Sequence, residues 1–183
     1  MGQARPHRPV LRLLAAFSRH PAALDWSRRQ AETAWGPVRL QSPFFPFTES
    51  RYYEPTMGTD LVKVFWAFER LADPAELPRW KLLANQWEEE LAVQQVFPEI
   101  RPVNLDPGYI TEAKLVLATT KDRDHRIYLS DGIYAECTLY YHAGRWCTRP
   151  WTYPDYARPE YHQFFEQCRR YLRECQRKAA GNG

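Results

Sequence analysis

Apolar residues recur along the first half of the chain with two periods, and each period predicts a different kind of element. Residues 10–17 form an apolar run and residues 61–71 alternate with apolar side chains on both faces, which predicts strands, the second one central and covered on both sides. Residues 21–35, opened by Pro21 and ended by Gly36-Pro37, predict a helix. Residues 38–41 predict a short strand.

Two later segments carry apolar residues at helical spacing. Asp73 and Pro74 supply a helix cap and a first-turn proline, but the ring of Pro78 would crowd the carbonyl of Pro74. A regular helix is therefore expected only from about Pro78, with an apolar stripe from Trp80 to Leu91. Residues 159–178 predict an amphipathic closing helix.

The second half of the chain reads mainly as strands and turns. Residues 113–120 predict a strand, and residues 126–130 and 133–141 predict the two arms of a hairpin around Asp131-Gly132, a strong hairpin signal. Asp106-Pro107-Gly108 fits a type II turn inside a connector. The order of elements predicts an α+β fold: a ferredoxin-like β-α-β-β-α-β core extended by an antiparallel hairpin and a C-terminal amphipathic helix. We expect a single domain over residues 1–183, with a basic N-terminal tail at 1–9 and a disordered C-terminal tail at 179–183.

Composition narrows the class of protein without identifying it. The chain has 183 residues, of which 44% are hydrophobic and 15% aromatic, and this argues against disorder. The net charge of +3 is too small to indicate a nucleic-acid-binding protein by itself. The four cysteines form no C-x-x-C pair, which favours a reducing, cytoplasmic location. No apolar run is long enough to span a membrane.

The hairpin brings candidate catalytic residues together. With a two-residue loop, Ser130 would pair with Ile133 and Tyr128 with Ala135, which would place His125 and Glu136 on one face as diagonal neighbours. A carboxylate beside an imidazole orients the ring for acid–base work, although a hydrogen-bonded histidine at this position also suits a purely structural role. The same register puts Arg126 on the opposite face, and a slip of one residue would separate the pair.

Cationic and aromatic residues near the hairpin indicate an anionic ligand. Lys121 and Arg126 lie on one loop, and guanidinium and ammonium groups suit phosphate oxygens. Five aromatic rings could stack on a base, although core or loop packing is the favoured explanation for any single one: Tyr52, Tyr53, Tyr109, Tyr134 and Trp151. The chain contains no phosphate-binding loop, dinucleotide fingerprint or zinc-ligand spacing, so neither a metal nor any cofactor is assigned.

Several segments resemble the bacterial and archaeal domain-of-unknown-function family DUF4416. They are YYEPTMG from Tyr52, KLLANQWE from Lys81, NLDPGYI from Asn104, WTYPDY from Trp151 and the long segment LVLATTKDRDHRIYLSDGIYAECTL from Leu115. The family has no established activity. The resemblance picks out nine polar residues of these motifs, two of which are the hairpin pair, His125 and Glu136. We expect the other seven to bind a ligand: Lys121, Arg126, Asn104, Asp106, Asn85, Glu88 and Asp155.

Three functions are consistent with these residues. The first is binding of a phosphate-bearing ligand, either a nucleotide or RNA, with His125 and Glu136 as acid–base residues if there is chemistry. The second is a non-catalytic interaction or assembly module that recruits a protein partner through the aromatic–proline segments 44–53 and 151–156. The third is a hydrolase or transferase for a small anionic metabolite, which a closed pocket of a few hundred Å3 would favour over an open RNA-binding groove.

Overall fold

The computed structural model describes residues 2–181 and contains one mixed sheet-and-helix assembly of the α+β class. Two short 3-10 turns, Pro74–Glu76 and Pro154–Ala157, precede the third and fourth helices. The structure otherwise consists of nine strands and four helices within residues 2–181. In chain order these are β1 (Val10–Ser18), α1 (Pro21–Trp35), β2 (Val38–Gln41), β3 (Phe45–Pro46), α2 (Glu54–Met57), β4 (Val62–Ala72), α3 (Leu77–Val93), β5 (Asn104–Ile110), β6 (Lys114–Thr119), β7 (Ile127–Ser130), β8 (Ile133–His142), β9 (Arg145–Thr148) and α4 (Pro159–Gly181).

The strands form a nine-stranded antiparallel sheet in the order β2-β4-β1-β5-β6-β8-β7, with β3 added to β4 and β9 added to β8. Successive residues of β1 point to opposite faces, and both faces are buried. Leu14 and Ala16 pack in the core beneath α1 and α3, whereas Leu13 and Ala15 pack in the core beneath α4. The sheet is therefore the middle of three layers.

Strand β5 corrects the predicted turn at Asp106-Pro107-Gly108. These residues lie inside a strand that pairs with β1 along its whole length, from Leu11 with Ile110 to Phe17 with Asn104. The predicted strand at residues 113–120, the last of the ferredoxin-like core, corresponds to β6. The strand that pairs with β1 in its place is β5. Pro107 is tolerated because β6 pairs with β5 only from Gly108 to Ile110, so the residue without an N–H lies beyond that ladder.

The hairpin forms at Asp131-Gly132, but its predicted register is wrong beyond the first pair. Ser130 pairs with Ile133 as expected, and a bulge at Leu129 then pairs Tyr128 with Tyr134 and Ile127 with Ala135. A bulge adds one residue to one strand, and the alternation of side chains does not reveal it. Arg126 is thereby shifted from the face opposite Glu136 to the position beside it.

The bounds of the three long helices, α1, α3 and α4, agree closely with those predicted from the sequence, whereas the short helix α2 was not predicted. A 3-10 turn capped by the Asp73 carboxylate, which accepts from Ala75 N at 2.9 Å, precedes α3 at Leu77, as expected from the crowding by Pro78. Helix α4 continues to Gly181, three residues past the expected end at Lys178. Of the predicted C-terminal tail, residues 182–183 lie outside the described part of the chain.

Candidate functional site

Strands β5 and β6 separate below their short ladder, and a cavity of about 370 Å3 opens there. We call it the central cavity. Its walls come from β1, β4, α3, β5, β6 and β8, from the aromatic–proline segment before α2, and from the 3-10 turn Pro154–Ala157. The structure brings six of the nine predicted site residues into these walls: Asn85, Asn104, Asp106, Lys121, Glu136 and Asp155.

Lys81 and Asp106 form the polar floor of the cavity. The buried Lys81 ammonium donates to Asp106 Oδ1 at 3.0 Å and to the carbonyl of Leu105 at 2.8 Å, and Asn104 Nδ2 donates to Asp106 Oδ2 at 2.6 Å. Burial alone would raise the pKa of Asp106, but the Lys81 charge and these hydrogen bonds outweigh it, so the pKa lies below its ordinary value. Asp106 is thus held as a carboxylate facing the cavity.

Arg101 lines the cavity beside this floor, and Glu88 supports it from behind. The Arg101 guanidinium donates to Glu88 Oε2 at 2.6 Å and also to Asn104 Oδ1, while Glu88 Oε1 accepts from the backbone N–H of Leu105 at 2.7 Å. Burial raises the pKa of Glu88 in spite of the nearby Lys81 and Arg101 charges. Glu88, one of the predicted ligand-binding residues, lies outside the cavity wall and orients the residues that line it.

A second buried pair closes another side of the cavity. Lys63 of β4 donates to Asp155 Oδ2 at 2.6 Å, and both residues are 3% exposed. The Lys63 ammonium also lies 4.3 Å from the ring centroid of Tyr156 and 5.3 Å from that of Phe47. Aromatic rings and one carboxylate therefore replace the water that normally solvates an ammonium group.

His125 and Glu136 are in contact, as predicted, although the contact arises from a different register. His125 Nε2 lies 3.2 Å from Glu136 Oε2, and the Arg126 guanidinium donates to the same oxygen at 2.9 Å. The imidazole stacks on Trp151 with 5.0 Å between centroids and lies outside the cavity wall. Glu136, which is 2% exposed, lines the cavity and separates the imidazole from it.

Arg126 is a buried connecting residue rather than part of the cavity wall. Besides Glu136, its guanidinium donates to the carbonyl of Lys121 at 2.9 Å and to the Tyr153 hydroxyl at 2.7 Å. Burial raises the pKa of Tyr153 above its ordinary value, so this hydroxyl stays neutral at physiological pH. Arg126 thereby fixes the loop that carries Lys121 to the mouth of the cavity.

Lys121 is an exposed cation at this mouth. Its ammonium donates to the Tyr52 hydroxyl at 3.3 Å and lies 4.7 Å from the centre of the Tyr52 ring. Within residues 2–181, Lys121 forms no ion pair with a carboxylate, in contrast to Lys63, Lys81 and Arg101.

Sequence reasoning missed three charged residues of the site: Lys63, Lys81 and Arg101. Two of them left a signal. Lys81 starts a polar stripe with Asn85 and Glu88 at helical spacing on α3, and Lys63 interrupts an otherwise apolar strand. Arg101 lies outside the regular elements, where spacing carries no such information.

The aromatic–proline segments mainly build the cavity and the core. Phe47 stacks on Phe17, Tyr53 meets Phe17 edge-on, and Tyr156 is buried. The exposed rings are Phe44, Tyr52, Trp151 and Tyr153, of which Tyr52 and Tyr153 also line the cavity. Burial raises the pKa of Tyr53, with the charge of Asp106 adding to the effect.

The fold and the site define an α+β protein with a deep cavity lined by paired charges and tyrosines. Residues 8–171 match the domain of unknown function DUF4416, and the chain belongs to this family. Comparison with curated proteins and with solved structures found no match.

None of the helices within residues 2–181 combines the length and apolar character needed to span a bilayer. In the same part of the chain, no group of three or more His, Cys, Asp and Glu side chains is placed to hold a metal ion.

Proposed function

We propose that the central cavity binds a small phosphate-bearing ligand. The observation that carries the proposal is the convergence of six motif residues on a cavity of about 370 Å3, with the cation Lys121 at its mouth. A volume of this size lies in the range of small-molecule sites, roughly 300–1,000 Å3. An ammonium group without a carboxylate partner is the natural contact for a ligand anion.

The shape of the cavity favours a small molecule over an RNA strand. An RNA-binding surface is an open groove that follows the backbone over several nucleotides, with aromatic side chains for successive bases. Here the rings of Tyr53, Phe47 and Tyr156 line one partly enclosed cavity rather than a long groove. RNA binding through one nucleotide is therefore the lesser alternative, and an RNA oligonucleotide belongs in the test.

A panel of phosphate-bearing metabolites, nucleotides and a short RNA tests the proposal by thermal shift followed by calorimetry. We expect at least one small ligand to raise the melting temperature and to bind with one-to-one stoichiometry. Lys121→Ala should weaken binding about ten-fold, because a hydrogen bond to a charged group contributes about 1.5–3 kcal/mol. The matched control Lys178→Ala removes an exposed cation on α4 and should leave affinity unchanged. The proposal fails if no phosphate-bearing compound binds, or if both variants bind like the wild type.

A catalytic function is the second candidate, and the contact between Glu136 and His125 favours it. Glu136 lines the cavity on one side and touches the imidazole on the other, so it is placed to pass a proton between them. We propose His125 as the acid or base in that case. His125→Ala should then abolish turnover of a bound ligand with its affinity intact, and retained turnover would rule the role out.

An interaction module stays a weaker proposal, because most rings of the aromatic–proline segments contribute to the cavity or core. Phe44 and Tyr52 are the exposed rings of the first segment and the place where a protein partner would dock. Chromatography with light scattering and pull-down with the Phe44→Ala variant tests it. Unchanged partner recovery by that variant would contradict the docking role.

We also propose a ferredoxin-like description of the core, formed as one domain by β1, α1, β2, β4, α3 and β5. The order β2-β4-β1-β5, all antiparallel, with α1 and α3 on one face, supports it. A cytoplasmic location is proposed on the four free thiols, Cys137, Cys147, Cys168 and Cys175. An experimental structure and fractionation of cells test the two proposals.

A further inference from the structure

The ionic groups inside the central cavity are already matched. Lys63 pairs with Asp155 at 2.6 Å, and Lys81 pairs with Asp106 at 3.0 Å. Each ammonium group is buried, and its carboxylate lies against it. Placing a phosphate dianion among these pairs would add charge without a free cation, which is costly in a site shielded from water.

The wall around these pairs is neutralised in the same way. Arg101 of the wall pairs with Glu88 behind it at 2.6 Å, and Glu136 of the wall pairs with Arg126 behind it at 2.9 Å. The interior as a whole therefore favours a part of the ligand that is uncharged and forms hydrogen bonds.

Among residues 2–181, Lys121 is the cation of the cavity wall that has no carboxylate partner, and it lies at the entrance. Lys121 is exposed, and its recorded partners are the hydroxyl and ring of Tyr52. The hydroxyl of Thr120, next to it in the wall, has no hydrogen-bond partner among residues 2–181. An ammonium group and a hydroxyl at the edge of the solvent suit a phosphate monoester that stays partly hydrated.

Among residues 2–181, three polar side chains of the cavity wall have no hydrogen-bond partner in the interior, and one of them is the buried hydroxyl of Tyr156. The other two are the Asn85 amide and the Tyr53 hydroxyl, which line the cavity and form no hydrogen bond within the described chain. An amide presents a donor and an acceptor side by side, which matches the edge of a heterocycle carrying one of each. The ring centroids of Phe47 and Tyr53 each lie 4.9 Å from that of Phe17, and the three rings give this space flat apolar walls.

We infer that the ligand is a nucleoside monophosphate that binds with its base inside the cavity, against Asn85 and Tyr53, and its phosphate at the mouth, on Lys121. The inference rests on the proposed function and adds the class of ligand and its orientation to it. Longer phosphate chains gain little, because the second and third phosphates extend into solvent.

Calorimetry with four matched sets of compounds tests this: AMP, GMP, CMP and UMP, the corresponding nucleosides, the triphosphates and inorganic phosphate. We expect one monophosphate to bind about ten-fold more tightly than its nucleoside and at least 100-fold more tightly than inorganic phosphate. Its triphosphate should bind within about three-fold of the monophosphate.

Two variants separate the ends of the ligand. Lys121→Ala should reduce the affinity for the monophosphate to that of the nucleoside and leave the nucleoside unaffected. Asn85→Ala should weaken both compounds by the same factor, about ten-fold. The matched control Lys178→Ala should change neither, and melting curves should show that every variant is folded.

The outcomes distinguish the inference from the function on which it rests. Inorganic phosphate or another non-nucleotide phosphate binding as tightly as the best monophosphate overturns the inference and leaves the cavity as a phosphate-ligand site. The inference is also overturned if Lys121→Ala weakens nucleoside and monophosphate equally. Absence of binding by every compound, the metabolite panel included, overturns both.

Discussion

Both carboxylate oxygens of Glu136 on β8 take part in side-chain hydrogen bonds. Arg126 and His125 from the loop before β7 bond to Oε2, and Thr138 from the same strand donates to Oε1 at 3.0 Å. The carboxylate and the Arg126 guanidinium are almost fully buried, with side-chain exposures of 2% and 5%. Removing one member of such a pair leaves the other charge buried without compensation.

Glu136→Ala is therefore expected to lower the free energy of unfolding by about 3–5 kcal/mol. Glu136→Gln, which keeps an acceptor for Arg126, should lose less. Urea denaturation of both variants measures the loss. The control Glu54→Ala removes an exposed carboxylate 3.9 Å from Arg51 and should cost less than about 1 kcal/mol. A loss below about 1 kcal/mol for Glu136→Ala would show that Arg126 does not depend on this partner.

Asp106 gives the site a pH dependence whose sign follows from its lowered pKa. A carboxyl group with a folded-state pKa below its unfolded value adds stability above the unfolded pKa, near 3.9, and loses it as the pH falls through the folded pKa. Asp106→Asn should thus be less stable than the wild type at neutral pH, and the difference should shrink below about pH 4.

Urea denaturation from neutral pH to about pH 3 measures this difference. The control Asp25→Asn removes an exposed carboxylate of α1 that forms no ion pair within residues 2–181, so it should change stability little at any pH. A deficit in Asp106→Asn that stays constant down to pH 3 would contradict the assigned ion pair with Lys81.

The contact between His125 and Glu136 was predictable in outcome but not in geometry. The Asp131-Gly132 turn fixes the first pair of the hairpin, and residues a few positions along each arm remain near one another whatever the register. The bulge at Leu129 decides which side chain faces Glu136, and it selects Arg126. Local sequence pattern contains the turn but not the bulge, because tertiary packing determines where the extra residue is accommodated.

At the scale of elements, β5 shows how sheet context overrides local turn signals. Asp-Pro-Gly favours a turn in isolation, but pairing with β1 on one side holds Asn104–Ile110 extended. Gly108 is needed there for space, since a Cβ atom would lie 2.3 Å from the carbonyl oxygen of Val116 on β6. A residue chosen for close approach of two backbones and one chosen for a turn look the same in a sequence.

Gly108→Ala should consequently force β5 and β6 apart and lower the free energy of unfolding by about 1–3 kcal/mol. Denaturation by urea, with the slope checked for two-state behaviour, measures it. Gly181→Ala is the matched control, because a Cβ atom at that position meets nothing within 4 Å. If Gly108→Ala were as stable as the control, the close approach of the two strands would be wrong.

At the scale of the whole molecule, the cavity unites segments far apart in the chain. Lys63 reaches Asp155 across 92 positions, and Lys121 reaches Tyr52 across 69. Helix and strand periods predicted the long elements α1, α3, α4, β1 and β4, because burial of one or both faces leaves a local record. The partner of a buried charge leaves no such local record in the sequence. The Lys63–Asp155 and Lys81–Asp106 pairs were therefore not predictable, whereas the polar residues of the motifs were.

The most direct test of a ligand site in the central cavity is an NMR titration of the 15N-labelled protein with AMP, GMP, CMP and UMP in turn. We expect one of them to give saturable shifts confined to the cavity, including the Lys121 backbone amide and the Asn85 side-chain amide, with Lys178 unmoved. Saturable shifts elsewhere on the surface, or no saturable shift at millimolar concentrations of all four, would contradict a nucleotide site in this cavity.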